Sequence, residues 1–406
     1  MALLVLVVGP LLRGQEPAAP PPAPQGQQQL EQKVQALEKR IEELEASSLE
    51  LNERVGSRAL LQSYSAQSLD LGGHLSSLWS VVRGKDGTDA GSYATLLELF
   101  LKARLAPEWS VFATPAFFNA NNISLIDPHD PTFSRIDRTA PVDFGVLLLR
   151  AYAEYEPSDE FHLRAGIIGT PHGVINREYS IPSRITGITP MMTRLLTSNL
   201  LYPQVMVGTA ASGNLHVGSN DAVEYDVYYG AETDDPDSPG GGARLGYRFG
   251  DLGLTVAADW AHGHRASFTE VTGLPAAFNL PVGAQFPFPS FASTRRSYDL
   301  FGIDFDLRHG DFWLQAEGYH SAESGTEDKT GVYIQPTWYL LPKWGVSYRF
   351  DYFNPGEGLG IATEHVFTTL FDPQKNVRLR LDLHHMELPH SHDALDFVDF
   401  SFSLSF

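Results

Sequence analysis

Cysteine is absent from the 406 residues, which removes disulfide scaffolds, thiolate metal sites and cysteine nucleophiles together. Beyond the extreme N-terminus there is no unbroken apolar run of about 18 residues, so a chain that crosses a bilayer by helices is excluded. Basic residues are scarce, 29 Lys and Arg against 49 Asp and Glu for a net charge of −20, and they form no clustered surface of the kind that holds nucleic acid. Catalytic signatures are missing as well. Asp143, Phe144 and Gly145 spell a kinase triplet without a glycine-rich or catalytic loop elsewhere, and Gly84 with Lys85 lacks the upstream glycine of a phosphate loop. There is no nucleophile elbow and no paired-histidine zinc helix, so neither an enzyme nor a cofactor is expected.

What is present begins with an apolar run over residues 1–12 that turns polar and proline-rich, which reads as an export signal over 1–14. The basic stretch that usually precedes such a run is missing, so no cleavage site is placed. Residues 15–29, QEPAAPPPAPQGQQQ, cannot bury anything and read as a semi-rigid linker. Over 30–60 the apolar spacing becomes 4, 3, 4, 3, and Val34, Leu37, Ile41, Leu44, Leu51 and Val55 form a heptad seam. Such a stripe needs partner helices, and Lys33 with Glu38 and Arg40 with Glu45 would pair charges in a parallel homo-oligomer. Val and Ile at a with Leu at d lean toward two strands, but Ser48 at an a position leaves the number open. The other reading is a lone amphipathic helix lying on the barrel or the cell wall.

From about Leu69 to the end of the chain the period is 2. Val398, Phe400, Phe402, Leu404 and Phe406 point one way while Asp399, Ser401, Ser403 and Ser405 point the other. Connection lengths decide between a soluble sandwich and a membrane barrel, because the barrel has short turns at one end and long loops at the other. Short turns fall at 106–108, 156–159, 218–221, 250–251, 309–310, 341–343 and 373–376. Longer connections fall at 83–91, 120–140, 170–202, 232–241, 263–296, 321–329, 354–363 and 388–394. Alternating in this way they join sixteen strands, which predicts an all-β transmembrane barrel over 69–406 with both ends on the short-turn side.

This placement sends Arg104, Arg150, Arg164, Arg248, Arg308, Arg349, Arg378 and Arg380 to the lumen beside acids such as Glu154, Asp304 and Asp382. An arginine-lined wall lowers the barrier for anions; equally, such residues brace the wall by pairing with its acids. The connection 170–202 is too long and too apolar to extend into water, so it is expected to fold inward and bring Arg177, Glu178, Arg184 and Arg194 to a constriction. The acidic connection with Asp234, Asp235 and Asp237 has no EF-hand spacing and reads as solvated. Histidines gather near the last long connection as His384, His385, His390 and His392 beside Asp393. His385, His390 and His392 are the candidate metal ligands, although the spacing matches no defined site.

The run AYAEYEPSDEFHLRAGIIGTPHG, residues 151–173, resembles the strand, turn and strand that lead into the constriction of the phosphate-selective porins. So does GVYIQPTWYLLPKWGVSYRFDYFNP, residues 331–355, with its tyrosines and closing Arg and Asp. The resemblance implies a sixteen-stranded trimeric channel of the bacterial outer membrane whose lumen arginines attract anions. Arg177, Arg184 and Arg194 fall in the corresponding loop, but no lysine cluster accompanies them. The coiled coil is an addition to the simple family form and is similar to periplasmic stalks that fasten outer membranes to the cell wall. The expectation is a passive channel for small hydrophilic solutes, seated in outer-membrane lipid, with a structural tether to peptidoglycan as the other reading.

Overall fold

The computed structural model describes residues 68–83, 89–121, 123–124, 137–138, 142–177, 185–186, 189–193, 201–232, 239–266, 295–356, 360–387 and 394–406, together with Lys39. Lys39 is helical and exposed; the remainder of the signal segment, linker and heptad seam lies outside the described residues.

Period-two patterning is realised as sixteen long strands. They are β1 (Ser68–Arg83), β2 (Asp89–Ala106), β3 (Trp109–Asn121), β4 (Val142–Ser158), β5 (Phe161–Gly169), β6 (Val205–Val217), β7 (Asp221–Glu232) and β8 (Pro239–Phe249). Then follow β9 (Leu254–Ala266), β10 (Arg295–His309), β11 (Phe312–Glu323), β12 (Lys329–Leu341), β13 (Trp344–Asn354), β14 (Ala362–Gln374), β15 (Val377–Glu387) and β16 (Ala394–Ser405). Each pairs antiparallel with its sequence neighbours, and β1 closes the ring against β16 in a register running from His74↔Ser405 to Val82↔Phe397. A separate pair, Ile123–Ser124 with Asp137–Arg138, lies within the β3 to β4 connection.

The barrel is inside-out relative to a water-soluble domain. Leu69, Leu71, Val146, Leu245, Phe301, Ile303 and Phe367 stand exposed on the outer wall, while Glu98, Asp259, Asp304, Arg349 and Asp399 are buried on the inner one. A continuous apolar belt is stable only against hydrocarbon, where closure leaves no strand edge with unpaired backbone groups. Aromatic pairs ring its short-turn end: Trp109 with Tyr155, Phe312 with Trp338 and Trp344 with Phe371, at centroid separations of 4.9, 5.1 and 4.3 Å. Amphipathic rings of this kind belong at a membrane interface.

All seven short turns are present, at 107–108, 159–160, 218–220, 250–253, 310–311, 342–343 and 375–376. Expected boundaries are corrected at several connections; 232–241, for example, becomes 233–238 because β8 opens at Pro239. The 156–159 turn is displaced because β4 continues to Ser158. The 321–329 connection shrinks to residues 324–328, since Ser321, Glu323 and Lys329 are strand residues buried against the lumen. Their polarity marks the inner face of a barrel, and Ser321 Oγ donates to Glu323 Oε1 at 2.9 Å there.

Candidate functional site

The connection between β5 and β6 turns into the barrel, and its two ends are stapled together at the neck. The Thr170 amide donates to the Gln204 carbonyl at 3.1 Å, and the Thr170 hydroxyl to the Pro203 carbonyl at 2.6 Å. Between them a single helical turn, α1 (Gly173–Arg177), presents its first amides to one carboxylate on the opposite wall. Glu317 Oε1 accepts from Val174 N–H at 2.8 Å, from Ile175 N–H at 3.0 Å and from the Tyr333 hydroxyl at 2.7 Å. A carboxylate there satisfies donors that the turn itself leaves unpaired. Gly173 makes the approach possible: its φ is +67°, and a Cβ would lie 2.1 Å from Glu317 Oε2.

His172 is the second fastening. It is fully buried, with Nδ1 at 3.3 Å from Asp259 Oδ1 and Nε2 at 2.6 Å from the Tyr228 hydroxyl. Tyr319 donates to the other Asp259 oxygen at 2.9 Å. Tyr202 packs against the same imidazole at 5.0 Å; its hydroxyl has no hydrogen-bond partner, and burial holds the phenol well above its ordinary range. Further along, Arg349 reaches from β13 to the Thr186 hydroxyl at 2.5 Å and the Thr189 carbonyl at 3.4 Å. Met191 and Met192 are buried beside them. The loop is thus bound to walls contributed by β7, β9, β11, β12 and β13.

On the short-turn side of α1 a cavity of about 460 Å³ opens, lined by Arg150, Arg164, Arg177, Arg244 and Arg248 and by Glu224, Asp226, Asp304 and Asp306. The paired groups differ in how far they reach. Arg177, Arg164 and Arg248 side chains are 34%, 35% and 40% exposed, whereas the acids they contact, Glu224 and Glu154, are 9% and 6% exposed. Beneath them Arg244 is fully buried and binds Asp304 through both Nε and Nη2, at 2.9 and 2.8 Å, with Glu224 at 3.4 Å. Arg164, Arg177 and Arg248 thus stand more exposed than the acids they contact, while Arg244 is buried among carboxylates.

No family model matches the chain, and no curated protein matches it. Solved structures do. An anion-selective porin from Comamonas acidovorans superposes with a TM-score of 0.55 at 10% identity, covering 84% of this chain and 99% of that one. The fold is that of the outer-membrane porins. Pseudomonas putida OprB gives 0.56 at 10% identity over 87% and 97% of the two chains. The trimer form of OmpT, an outer membrane protein of Vibrio cholerae, gives 0.54 at 8% identity over 84% and 99%.

Within this porin fold the expected lining residues take different places. Arg150, Arg164, Arg177 and Arg248 converge on the cavity. Arg308 pairs with Asp306 at 3.3 Å near the rim, Arg378 is held by Asp372 at 2.7 Å, and Arg104 is exposed at the short-turn end of β2. Arg349 and Arg380 do not line an open channel. Both are buried, the first as a clamp on the loop and the second against Ser401 and Ser403 at 3.4 and 3.2 Å. Glu178, Arg184, Arg194, His390 and His392 lie outside the described residues. His384 and His385 part company because they are consecutive in β15: His384 is buried inside between Glu364 and Asp399, at 2.9 and 3.1 Å, and His385 faces outward. Sequence reasoning did not single out Arg244, Glu224, His172, Tyr202 or Tyr228. Among the described residues one carboxylate and imidazole group has metal-like spacing, Glu154, Glu156 and His162, and Lys102 and Arg164 already occupy its acids.

Proposed function

We propose that this chain is an outer-membrane porin, a passive channel for small hydrophilic solutes that admits anions more readily than cations. The observation that carries the reading is the layering of the inner wall, with part-exposed Arg164, Arg177 and Arg248 over buried Glu154 and Glu224. Arg164 engages Glu154 through Nε alone, at 2.7 Å, so its terminal nitrogens stay outside that bond. The Comamonas acidovorans porin with the same fold is described as anion-selective, and the resemblance to phosphate-selective porins points the same way.

In this reading the apolar belt sits in the outer membrane, the long loops face outward, and the short turns and the heptad segment face the periplasm. The barrel in this reading is homotrimeric, an assembly that the OmpT trimer form supports for this fold. Reversal potentials in planar bilayers under a potassium chloride gradient test the proposal. The wild-type protein should show an anionic sign, and the triple variant Arg164→Glu, Arg177→Glu, Arg248→Glu should move it toward the cationic sign. A wild-type channel that selects cations, or no conductance at all, would overturn it.

A further inference from the structure

The cavity below α1 holds more than its charge requires. Strand β6 runs through its floor, where the inner-face residues Ala210 and Ser212 are small. The flanking strands are longer-armed at the same level: Arg164 of β5 stands directly opposite Ala210, and Asp226 of β7 directly opposite Ser212. Neighbouring strands lie about 4.8 Å apart, so the backbones carrying this guanidinium and this carboxylate are about 10 Å apart across a recess. Arg177 enters from α1 and bonds Glu224 at 3.1 Å, the inner-face neighbour of Asp226 along β7. Arg164 and Arg177 each spend one nitrogen on a carboxylate, Nε on Glu154 and Nη2 on Glu224, which leaves each with N–H groups for a second acceptor. Asp226 lies within electrostatic reach of Arg164, Arg177 and Arg244, yet among the described residues neither its carboxylate nor the Ser212 hydroxyl enters a hydrogen bond. Around the whole cavity five arginines face four acids, one positive charge in excess.

We infer, resting on the reading of this chain as an anion-preferring channel, that the recess binds a small hydroxylated monocarboxylate, with a sugar acid such as gluconate as the type. A single positive excess matches one carboxylate. The planar guanidinium forks of Arg164 and Arg177 suit that group, since each can meet its two oxygens with parallel N–H bonds. Ser212 and Asp226 then find the partners they lack. A sugar hydroxyl both donates and accepts, so it can give its proton to the Asp226 carboxylate and take one from Ser212. A six-carbon chain with C–C bonds of about 1.5 Å extends about 6 Å, and a hydrogen bond of about 2.8 Å at each end carries it across the recess. An inorganic anion would use the guanidinium groups alone and would meet repulsion from Asp226. A carboxylate with hydroxyls turns that same residue into an acceptor, which makes Asp226 and Ser212 the residues that set specificity.

The test is single-channel recording of the full chain in potassium chloride with potassium gluconate or potassium hexanoate added. Both probes are six-carbon monoanions, and they differ in their hydroxyls. Gluconate should interrupt the chloride current at about tenfold lower concentration than hexanoate, the gain expected from two added hydrogen bonds. The double variant Ser212→Ala, Asp226→Ala should collapse that gap, and Arg164→Gln should weaken both acids alike. Heat-modifiable gel migration checks that each variant is folded. Equal block by the two acids in the wild type, a gap that survives in the double variant, or tighter block by potassium phosphate than by gluconate would overturn the inference. The reversal potential from the same recordings separates the two failures. An anionic sign without a gluconate preference sinks the sugar-acid assignment alone, whereas a cationic sign sinks the channel reading and this inference with it.

Discussion

Gly173 carries the seating of the inward loop on a single backbone angle. Its φ of +67° is open to glycine and costly for a residue with a side chain, and the missing Cβ is the space that Glu317 fills. Gly173→Ala therefore loses twice, through backbone strain of about 1–3 kcal/mol and through displacement of a carboxylate that satisfies two amides and a phenol. The expected outcome is a loosened loop on an intact barrel, seen as noisier and larger single-channel steps with little change in unfolding temperature. Steps of wild-type size and noise would show that the neck bonds of Thr170 hold the loop without it. Arg244 works by a different logic: it faces Asp304, Glu224 and Asp259 from a fully buried position. Removing one partner of a buried charge pair costs about 3–5 kcal/mol, because the other charges stay behind.

At the scale of elements, the β5 to β6 loop enters the barrel and is fastened to its inner wall, and deleting residues 176–196 should raise conductance several-fold. Unchanged conductance would remove the loop from the ion path. That this connection folds inward was legible from its length and apolar content, and the sixteen strands from the period of two and the seven short turns. What the loop binds was not legible. His172 meets a tyrosine 56 residues away and an aspartate 87 away, and Arg349 meets Thr186 across 163 residues, spacings that leave no local pattern. Arg244 was not singled out: Gly240 and Gly241, near the start of β8 and just before it, fell within the expected 232–241 connection. Ser321, Glu323 and Lys329 were mistaken for loop residues because polarity signals solvent in most folds and the lumen in this one. The histidines of β15 looked like one cluster in the sequence, and the strand period sent them to opposite faces.

For the whole molecule, the seam between β1 and β16 is where closure is decided. A barrel in hydrocarbon cannot expose an open edge, since each unpaired backbone group there costs several kcal/mol. The terminal residue completes this seam: Gly73 N–H donates to the Phe406 carbonyl at 3.1 Å, and Phe406 N–H returns to the Gly73 carbonyl at 3.0 Å. A Cβ on Gly73 would lie 2.7 Å from the Phe406 ring and 2.6 Å from the Glu98 carbonyl oxygen. Gly73→Val should thus pry the seam apart from outside, and because every strand is held only by its two neighbours the loss is felt by the whole ring. The variant is expected to lose its compact form in heated gel-migration assays at a clearly lower temperature than wild type. Leu71→Val, on the same strand and exposed on the outer wall, should unfold with the wild type. If the two variants unfold together, closure is set by the remaining ladder from His74 to Val82, and the terminal residue contributes nothing measurable.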